Sequence, residues 1–323
     1  MAGRALLSRA EAGFTMPAFE RLAPPPSPEL VLARLEAATG PGDIVADLHG
    51  RGGWIARAAI DRQRRALTLE SSPLTRLLAE VVLRPPDLRH LDAAFSTLSA
   101  SPRGDSSLKL AIGAFFTTRC PTCERSLVAD EFVWSAEPAD APAAGSGPAA
   151  DSAAAESPPG PGSAAVLARK AYRCSVCRDQ RGGLEQRQAP TDDADLARAA
   201  ADVGAVAIRQ RLRDRFPAPV GAEGLADAIL DLHTDRQLAG LTAILERIEG
   251  DLRAAPVESA LRLAFLHAVL PASRLGTGPG RIPAIRIAGG VIRSPIPATF
   301  RERNPWLAFH EGFRIVRAFV QRI

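Results

Sequence analysis

The sequence lacks a long apolar run. No apolar stretch of the chain reaches the ~18 residues that a membrane-spanning helix needs. The N-terminus, MAGRALLSRAEAGF, is too short and too polar for the apolar part of a signal peptide. A P-loop of the form G-x-x-x-x-G-K-[ST] is also absent. These absences predict a cytoplasmic protein with no membrane partner and no P-loop nucleotide site.

Positive charge is modest, and lysine contributes little of it. The net charge is +4, the pI is about 9.2, and most of the basic residues are arginines. This balance permits a nucleic-acid partner without requiring one, and a GC-rich genome produces the same preference for arginine. With 323 residues, of which 46% are hydrophobic, the chain is long enough for two domains.

Cysteine is scarce, and all four cysteines occur in two Cys-x-x-Cys pairs. Each pair presents two thiolates on one tight turn, and two such turns satisfy tetrahedral zinc with no open position for catalysis. We therefore predict structural Zn²⁺ in a zinc ribbon with strands at 126–134 and 169–173. The expected ligands are Cys120, Cys123, Cys174 and Cys177. A redox dithiol pair and four ordinary buried cysteines are the alternatives.

The segment between the two pairs is dominated by Ala, Pro, Gly and Ser. Residues 135–168 contain no aromatic side chain and few charges, so we predict a disordered insertion. Such an insertion costs little because loop-closure entropy grows only logarithmically with length. Basic residues flank the ribbon and suit phosphate contact, although a solvated surface also explains them. They are Arg119, Arg125, Arg169, Lys170, Arg173, Arg178 and Arg181.

Upstream of the cysteines, helices and strands are predicted to alternate. A helix capped by Ser27 precedes a short apolar strand at 44–46, which we expect to be buried on both faces. A Gly-rich turn, a helix at 54–62, a strand ending at Glu70 and another helix follow. This order predicts a parallel α/β sheet and one mononucleotide-binding half. The simpler alternative is a tight strand–helix connection with a solvated glutamate.

Residues 27–83 resemble the cofactor-binding half of DNA amino-methyltransferases. The matching positions are Pro28, Asp47, Gly50, Gly52, Gly53, Glu70 and Pro73. The resemblance implies an α/β, Rossmann-like S-adenosylmethionine-binding methyltransferase half with an inserted zinc ribbon and a helical region, as in some large adenine-specific DNA methylases. It also implies that Glu70 binds the ribose hydroxyls and that Asp47 and the glycines hold the methionine end of S-adenosylmethionine.

The turn differs from the family pattern at two points. His49 stands where the family has an aromatic residue, and it is either a lid over the methionine or a polar turn residue. The turn is also one residue short, or Arg51 replaces a glycine. The candidate cofactor-binding residues are Asp47, His49, Gly50, Gly52, Gly53 and Glu70.

The catalytic motif of that family, [Asp/Asn/Ser]-Pro-Pro-aromatic, is not found in the chain. Asn304-Pro305-Trp306 is the nearest match, but it lacks the doubled proline. We expect no apolar strand before it and a helix after it, so Asn304 is only the nearest catalytic candidate. The motif then lies in a downstream segment or a second subunit, or the chain is a degenerate paralogue. A final helix without a visible cap favours the first two explanations.

The C-terminal part of the chain is predicted to be helical. Apolar periodicity predicts helices at 193–215, 223–252 and 257–270. The tail combines arginines with Trp306 and several phenylalanines, a pattern that suits either nucleic-acid contact or a helix docked on a core. We favour the docked helix.

These predictions define five regions and a function. The regions are an irregular N-terminus (1–26), a Rossmann-like cofactor-binding domain (27–110), a zinc ribbon with its insertion (111–190), a helical region (191–275), and an irregular segment with a C-terminal helix (276–323). The predicted function is S-adenosylmethionine-dependent methylation of an exocyclic amine of adenine or cytosine in DNA. The alternatives are a non-catalytic DNA- or protein-binding zinc-ribbon module on a degenerate methyltransferase fold, and a dinucleotide-dependent enzyme.

Overall fold

The structure, a computed structural model, describes residues 26–135, 165–177, 184–277 and 285–323. Residues 1–25 of the predicted irregular N-terminus and 136–164 of the predicted insertion lie outside the described residues. The described chain is mixed α/β. It divides into two compact units, one comprising Met1–Pro102, Ile244–Ala268 and Phe309–Ile323, and the other Arg103–Ala243 and Val269–Ala308.

Eleven helices lie in the described ranges. They are α1 (Pro28–Ala38), α2 (Trp54–Asp61), α3 (Pro73–Leu83), α4 (Leu88–Ala100), α5 (Leu108–Ala114), α6 (Asp193–Ala199), α7 (Ala205–Arg215), α8 (Leu225–Leu230), α9 (Asp235–Gly250), α10 (Ala255–Val269) and α11 (Pro305–Arg322). None of these helices has both the length and the apolar character of a membrane span.

The strands in the same ranges are short. They are β1 (Ile44–Asp47), β2 (Arg65–Thr68), β3 (Pro102–Arg103), β4 (Ser106–Ser107), β5 (Thr117–Arg119), β6 (Ser126–Val128), β7 (Glu131–Ser135), β8 (Val166–Tyr172), β9 (Arg187–Pro190), β10 (Ile287–Ala288), β11 (Val291–Ile292) and β12 (Phe300–Arg303). The largest sheet has four antiparallel strands in the order β12-β7-β8-β9. The other sheets have two strands each.

In the first unit, local sequence determines where α1 and α3 begin. The hydroxyls of Ser27 and Ser72 each accept a backbone N–H from the first helical turn, and a proline occupies the first position of each helix. Strands β1 and β2 pair in parallel, with Ile44 opposite Arg65. The predicted order of helix, strand, turn, helix, strand, acid and helix is confirmed.

In the second unit, a buried ion pair connects β12 to helix α9. Arg236 donates to both carboxylate oxygens of Glu302, and the rings of Phe116 and Phe132 lie 5.1 and 4.9 Å from its guanidinium carbon. Trp134 Nε1 donates to the same carboxylate at 2.6 Å. Because every charge in this cluster has a partner, it fixes the position of β12 rather than offering a free reactive group.

The strand expected to be buried on both faces is not. Ile44 is 61% exposed, since the side of β1 on which it lies is not covered by any described element. The prediction of one strand at 126–134 is also wrong. Ala129 donates its N–H to Phe116 O and Asp130 donates to Ala171 O, so the chain changes from one sheet to another there.

Three other boundaries differ from the predictions. Residues 166–168 of the predicted insertion belong to β8, which pairs along its length with β7. The helix predicted at 193–215 is interrupted before α7 at Gly204, whose φ of +72° is left-handed. The helix predicted at 223–252 is split into α8 and α9.

Candidate metal centre and cofactor turn

The four cysteine sulfurs lie within 4.8 Å of one another. Cys120 Sγ is 3.9 Å from Cys177 Sγ, and Cys123 Sγ is 3.6 Å from Cys174 Sγ. A tetrahedron of sulfurs about 2.3 Å from a zinc ion has edges of about 3.8 Å. A disulfide would instead need about 2.05 Å, and all four thiols are free. The cluster can therefore hold a metal ion such as zinc.

Two tight turns bring the sulfurs together. In the first turn, Glu124 donates its N–H to Cys120 O at 2.8 Å, and Cys120 donates to Arg125 O at 3.0 Å. Glu124 has a φ of +56°, which bends the chain back into β6. The second turn follows β8, and Cys177 donates its N–H to Cys174 Sγ at 3.5 Å. Both halves of the cluster are thus set by local backbone geometry at strand ends.

The thiols differ in how readily they ionise. Burial opposes ionisation of Cys120, but the N–H groups of Cys123 and Thr122 outweigh it and lower its pKa to about 6. The N–H of Cys177 lowers the pKa of Cys174. The pKa of Cys177 is raised to about 12, first by a hydrogen bond with Cys123 and then by burial of the thiol. A divalent cation at the centre would displace the protons that the thiols share.

Glycines form the turn between β1 and α2. Gly52 and Gly53 have φ of +87° and +78°, which are left-handed values that other residues rarely adopt. A Cβ on Gly50 would lie 2.5 Å from Glu70 Oε1 and 2.4 Å from Thr68 Oγ1. The glycines therefore allow the backbone to approach the end of β2 closely.

Glu70 is bound to this turn. Its Oε1 accepts the N–H groups of Gly52 at 2.9 Å and Gly53 at 3.1 Å, at the N-terminus of α2. Its Oε2 is buried and has no hydrogen-bond partner among the described residues. One carboxylate oxygen thus stabilises the turn, and the other has no hydrogen bond to any described residue.

A cavity of about 470 Å³ opens at the carboxyl ends of β1 and β2. Of the predicted cofactor residues, His49, Gly50 and Glu70 line it, together with Leu48, Arg51, Leu69, Ser71, Ser72 and Thr75. The other three predicted residues build the turn, and Asp47 Oδ1 accepts the N–H of His49 at 3.2 Å. Ser71, Ser72 and Thr75 were not predicted to line a cofactor site. Their place at the start of α3, after the acid, was the available signal.

Asn304 is 1% exposed and lies directly after β12. A strand precedes it, with Phe300 and Glu302 buried, but its sequence, Phe-Arg-Glu-Arg, is not the apolar strand that the family motif follows. The helix predicted after it is confirmed as α11. Its Oδ1 accepts the N–H of Trp306 at 2.9 Å, so Asn304 caps this helix. A catalytic role for Asn304 stays a prediction.

The basic surface predicted around the ribbon is smaller than the sequence suggested. Lys170 is buried, and its Nζ lies 2.7 Å from Asp192 Oδ2 and 2.8 Å from Asp195 Oδ2. Burial disfavours the charged lysine, but hydrogen bonds to these carboxylates outweigh it and raise its pKa. Lys170 is thus a structural cation. Arg178 and Arg181 lie outside the described residues.

The C-terminal aromatic side chains are buried. Trp306, Phe309, Phe313 and Phe319 all belong to the core. Phe313 stacks on Phe95 with ring centroids 4.0 Å apart. The interpretation of the tail as a docked helix is therefore confirmed, and these rings are not exposed for base stacking.

No protein-family model matches the chain, and comparisons with curated proteins and with solved structures found no match either.

Proposed function

We propose that this chain is the cofactor-binding half of an S-adenosylmethionine-dependent DNA methyltransferase that acts on an exocyclic amine of adenine or cytosine. The observation that carries the proposal is Glu70, which closes the Gly-rich turn, lines the cavity at the strand ends and has one buried oxygen without a hydrogen-bond partner among the described residues. The helix–strand–turn–helix–strand–acid order supports a Rossmann-like assignment, since ligands of such folds bind at the carboxyl ends of the strands.

The residues present fit the cofactor. Glu70 Oε2 would accept a ribose hydroxyl, which satisfies a buried acceptor that otherwise lacks a partner. His49 and Gly50 lie in the cavity wall, where they would contact the rest of the nucleoside or the methionine. Asp47 acts indirectly by holding the turn. When bound, S-adenosylmethionine would supply the methyl group.

The cysteine cluster is proposed to hold structural Zn²⁺ in a zinc ribbon. The sulfur separations of 3.6 and 3.9 Å are those of a Cys₄ zinc tetrahedron. Four thiolates complete the coordination shell, so the ion would stabilise the fold rather than activate water. The site would fix β5 and β6 against the end of β8.

Methyl transfer needs a group that orients the target amine, and Asn304 is the residue nearest to the family's motif for this role. Because Asn304 is buried and caps a helix, we propose that the catalytic motif is supplied by a second subunit or a downstream segment. DNA is the proposed substrate.

Calorimetry tests the cofactor. We expect S-adenosylmethionine to bind and NAD not to bind. Glu70→Gln keeps one oxygen for the glycine N–H groups but replaces the free oxygen with NH₂, so affinity should fall about tenfold or more, or about 1.4 kcal/mol. Glu29→Gln, on an exposed helix face of the same unit, is the matched control. No binding of S-adenosylmethionine at millimolar concentration would overturn the proposal.

Metal analysis tests the ribbon. Freshly purified protein should contain one Zn²⁺ per chain, and the thiols should become titratable only after chelation. Protein without zinc, with all four thiols reactive from the start, would refute this assignment.

One observation favours the non-catalytic alternative. Glu70 already occupies the N–H groups of Gly52 and Gly53, so the turn is satisfied without a ligand. Fluorescence anisotropy with a DNA duplex, with and without zinc, tests this alternative. If DNA binds only with zinc and neither S-adenosylmethionine nor NAD binds, the chain is a DNA-binding module on a degenerate fold. Binding of NAD alone would favour the dinucleotide-dependent enzyme.

A further inference from the structure

One face of the two-stranded parallel sheet exposes four large aliphatic side chains. Ile44 and Leu48 are each 61% exposed, Leu67 is 53% exposed and Leu69 is 51% exposed. They alternate along the chain with less exposed residues, as side chains on one side of a strand must. In the register, Ile44 lies opposite Arg65 and Ala46 opposite Leu67. We call the side chains of residues 44, 46, 48, 65, 67 and 69 the open face.

The sheet is also open at its edge. Strand β1 pairs only with β2 among the described residues. The bonds from Arg65 N to Asp43 O and from Leu69 N to Asp47 O use odd-numbered residues, one directly before β1 and one at its end. In a parallel ladder the intervening residues, Ile44 and Ala46, direct their N–H and C=O groups to the other side. That edge is a template for another strand.

A two-stranded parallel sheet with an uncovered apolar face is incomplete. Parallel sheets occur almost only with both faces covered, and two strands alone rarely form a stable sheet. On the other face, Val45 and Ala66 pack with the cluster of Leu35, Ala58 and Ala59. The open face has no such cover from the described residues, so it is suited to bury apolar surface contributed from elsewhere.

Charge restricts what can cover the open face. Arg65 is exposed there, and no ion pair is formed by it within the described ranges. The open face contains no acidic residue, because its six positions are Ile44, Ala46, Leu48, Arg65, Leu67 and Leu69. Charge complementarity therefore favours a covering surface that brings a carboxylate to Arg65 as well as apolar side chains.

We propose that a different polypeptide docks here, adding a parallel strand to the free edge of β1 and covering the open face with an apolar helix that carries an acidic residue opposite Arg65. A second copy fits poorly. If two copies paired through their β1 edges about a two-fold axis, the strands would be antiparallel and both open faces would stay exposed. If two copies instead packed open face to open face, the interface would contain two arginines and no carboxylate. The acidic residue distinguishes the proposed partner from a copy of this chain.

The docked partner would also form a wall of the cavity. Leu48 and Leu69 belong to the open face and line the cavity at the carboxyl ends of the strands. The role of the partner at that cavity rests on the proposed function. The docking surface is a property of the sheet itself and does not require S-adenosylmethionine to bind.

Site-specific photo-cross-linking tests the proposal. p-Benzoylphenylalanine is introduced at Ile44 or at Leu67 in the full chain, which is expressed in the organism that produces it. Leu30, which is 72% exposed on α1 in the same unit, receives the same probe as the control. Adducts are mapped by peptide mass spectrometry, and thermal unfolding verifies that each variant is folded. We expect both open-face positions to cross-link to adjacent segments of one other protein, and Leu30 not to do so.

A charge exchange then tests the role of Arg65. Arg65→Glu should reduce the adduct at Leu67 at least tenfold, and reversing the charge of the mapped acidic residue in the partner should restore it. Adducts only with a second copy, only with other residues of this chain, or at the level of the Leu30 control would overturn the proposal. So would a full adduct yield in Arg65→Glu. S-adenosylmethionine affinity is measured separately, so failure of the proposed function and failure of this docking surface are distinguishable.

Discussion

Replacing Glu70 by alanine should destabilise the first unit markedly, even without any ligand. The carboxylate accepts two backbone N–H groups, from Gly52 at 2.9 Å and from Gly53 at 3.1 Å. Glu70→Ala leaves both donors without their partner at the start of α2. The sequence motif alone assigns this glutamate to a ligand, whereas the structure makes it part of the turn as well.

The magnitude follows from the two bonds. Each hydrogen bond to a charged group contributes about 1.5–3 kcal/mol to stability. Alanine also removes Oε2, whose burial without a partner destabilises the fold by about 1–2 kcal/mol. We therefore expect Glu70→Ala to lower the free energy of unfolding by about 2–4 kcal/mol. Glu70→Gln keeps a neutral acceptor for the N–H groups and should lose about 1 kcal/mol. Glu29→Ala, on the exposed side of α1, should change stability by less than about 0.5 kcal/mol.

Urea unfolding followed by tryptophan fluorescence measures these losses. Trp54 begins α2 and packs edge-on against Phe319 at 5.8 Å, so it reports on this unit. Hydrogen exchange at Gly52 and Gly53 gives a local measurement, because exchange should accelerate about tenfold for each 1.4 kcal/mol lost. The reasoning is refuted if Glu70→Ala unfolds at the same urea concentration as Glu29→Ala and the two glycine amides keep their protection.

Three other perturbations test the packing, the buried ion pair and the cysteine cluster. Gly312→Ala places a Cβ 2.3 Å from Ala264 O and should destabilise by about 1–3 kcal/mol in thermal unfolding, whereas Gly250→Ala, with nothing within 4 Å, should not destabilise. Lys170→Met leaves the carboxylates of Asp192 and Asp195 without their cation and should lower the free energy of unfolding by about 3–5 kcal/mol, measured by urea titration. An unchanged free energy of unfolding would mean that these charges are solvated rather than buried. Cys123→Ser should lower bound Zn²⁺ and the unfolding temperature together, and an unchanged metal content would contradict the assigned ligand set.

Local sequence was sufficient for the elements of the first unit. Ser27, Ser72 and the prolines after them determine where two helices begin, because a hydroxyl cap and a fixed φ act within one turn. The Cys-x-x-Cys pairs also needed little tertiary information, since each turn is only four residues long. All four sulfurs lie within 4.8 Å of one another, in agreement with the predicted set of metal ligands.

Long-range pairing was harder to predict. The split of 126–134 depends on Ala129 and Asp130 donating to two residues far away in sequence, Phe116 and Ala171. The strand before Asn304 was missed because its sequence, Phe-Arg-Glu-Arg, is polar. Glu302 is buried because Arg236, Trp134 and Thr234 all contact its carboxylate. Lys170 was assigned to the surface for the same reason, since its partners Asp192 and Asp195 follow about twenty residues later.

The sequence by itself determined the alternating helices and strands before residue 84, the Gly-rich turn, the acid that follows the second strand, and the cysteine pairs. These features depend on capping, turn geometry and short-range spacing. Tertiary structure alone decided that Glu70 binds its own turn, that Lys170 is internal, and that one face of the parallel sheet stays open. Those outcomes depend on which distant groups meet, because hydrogen bonds, ion pairs and burial are satisfied in space rather than along the chain.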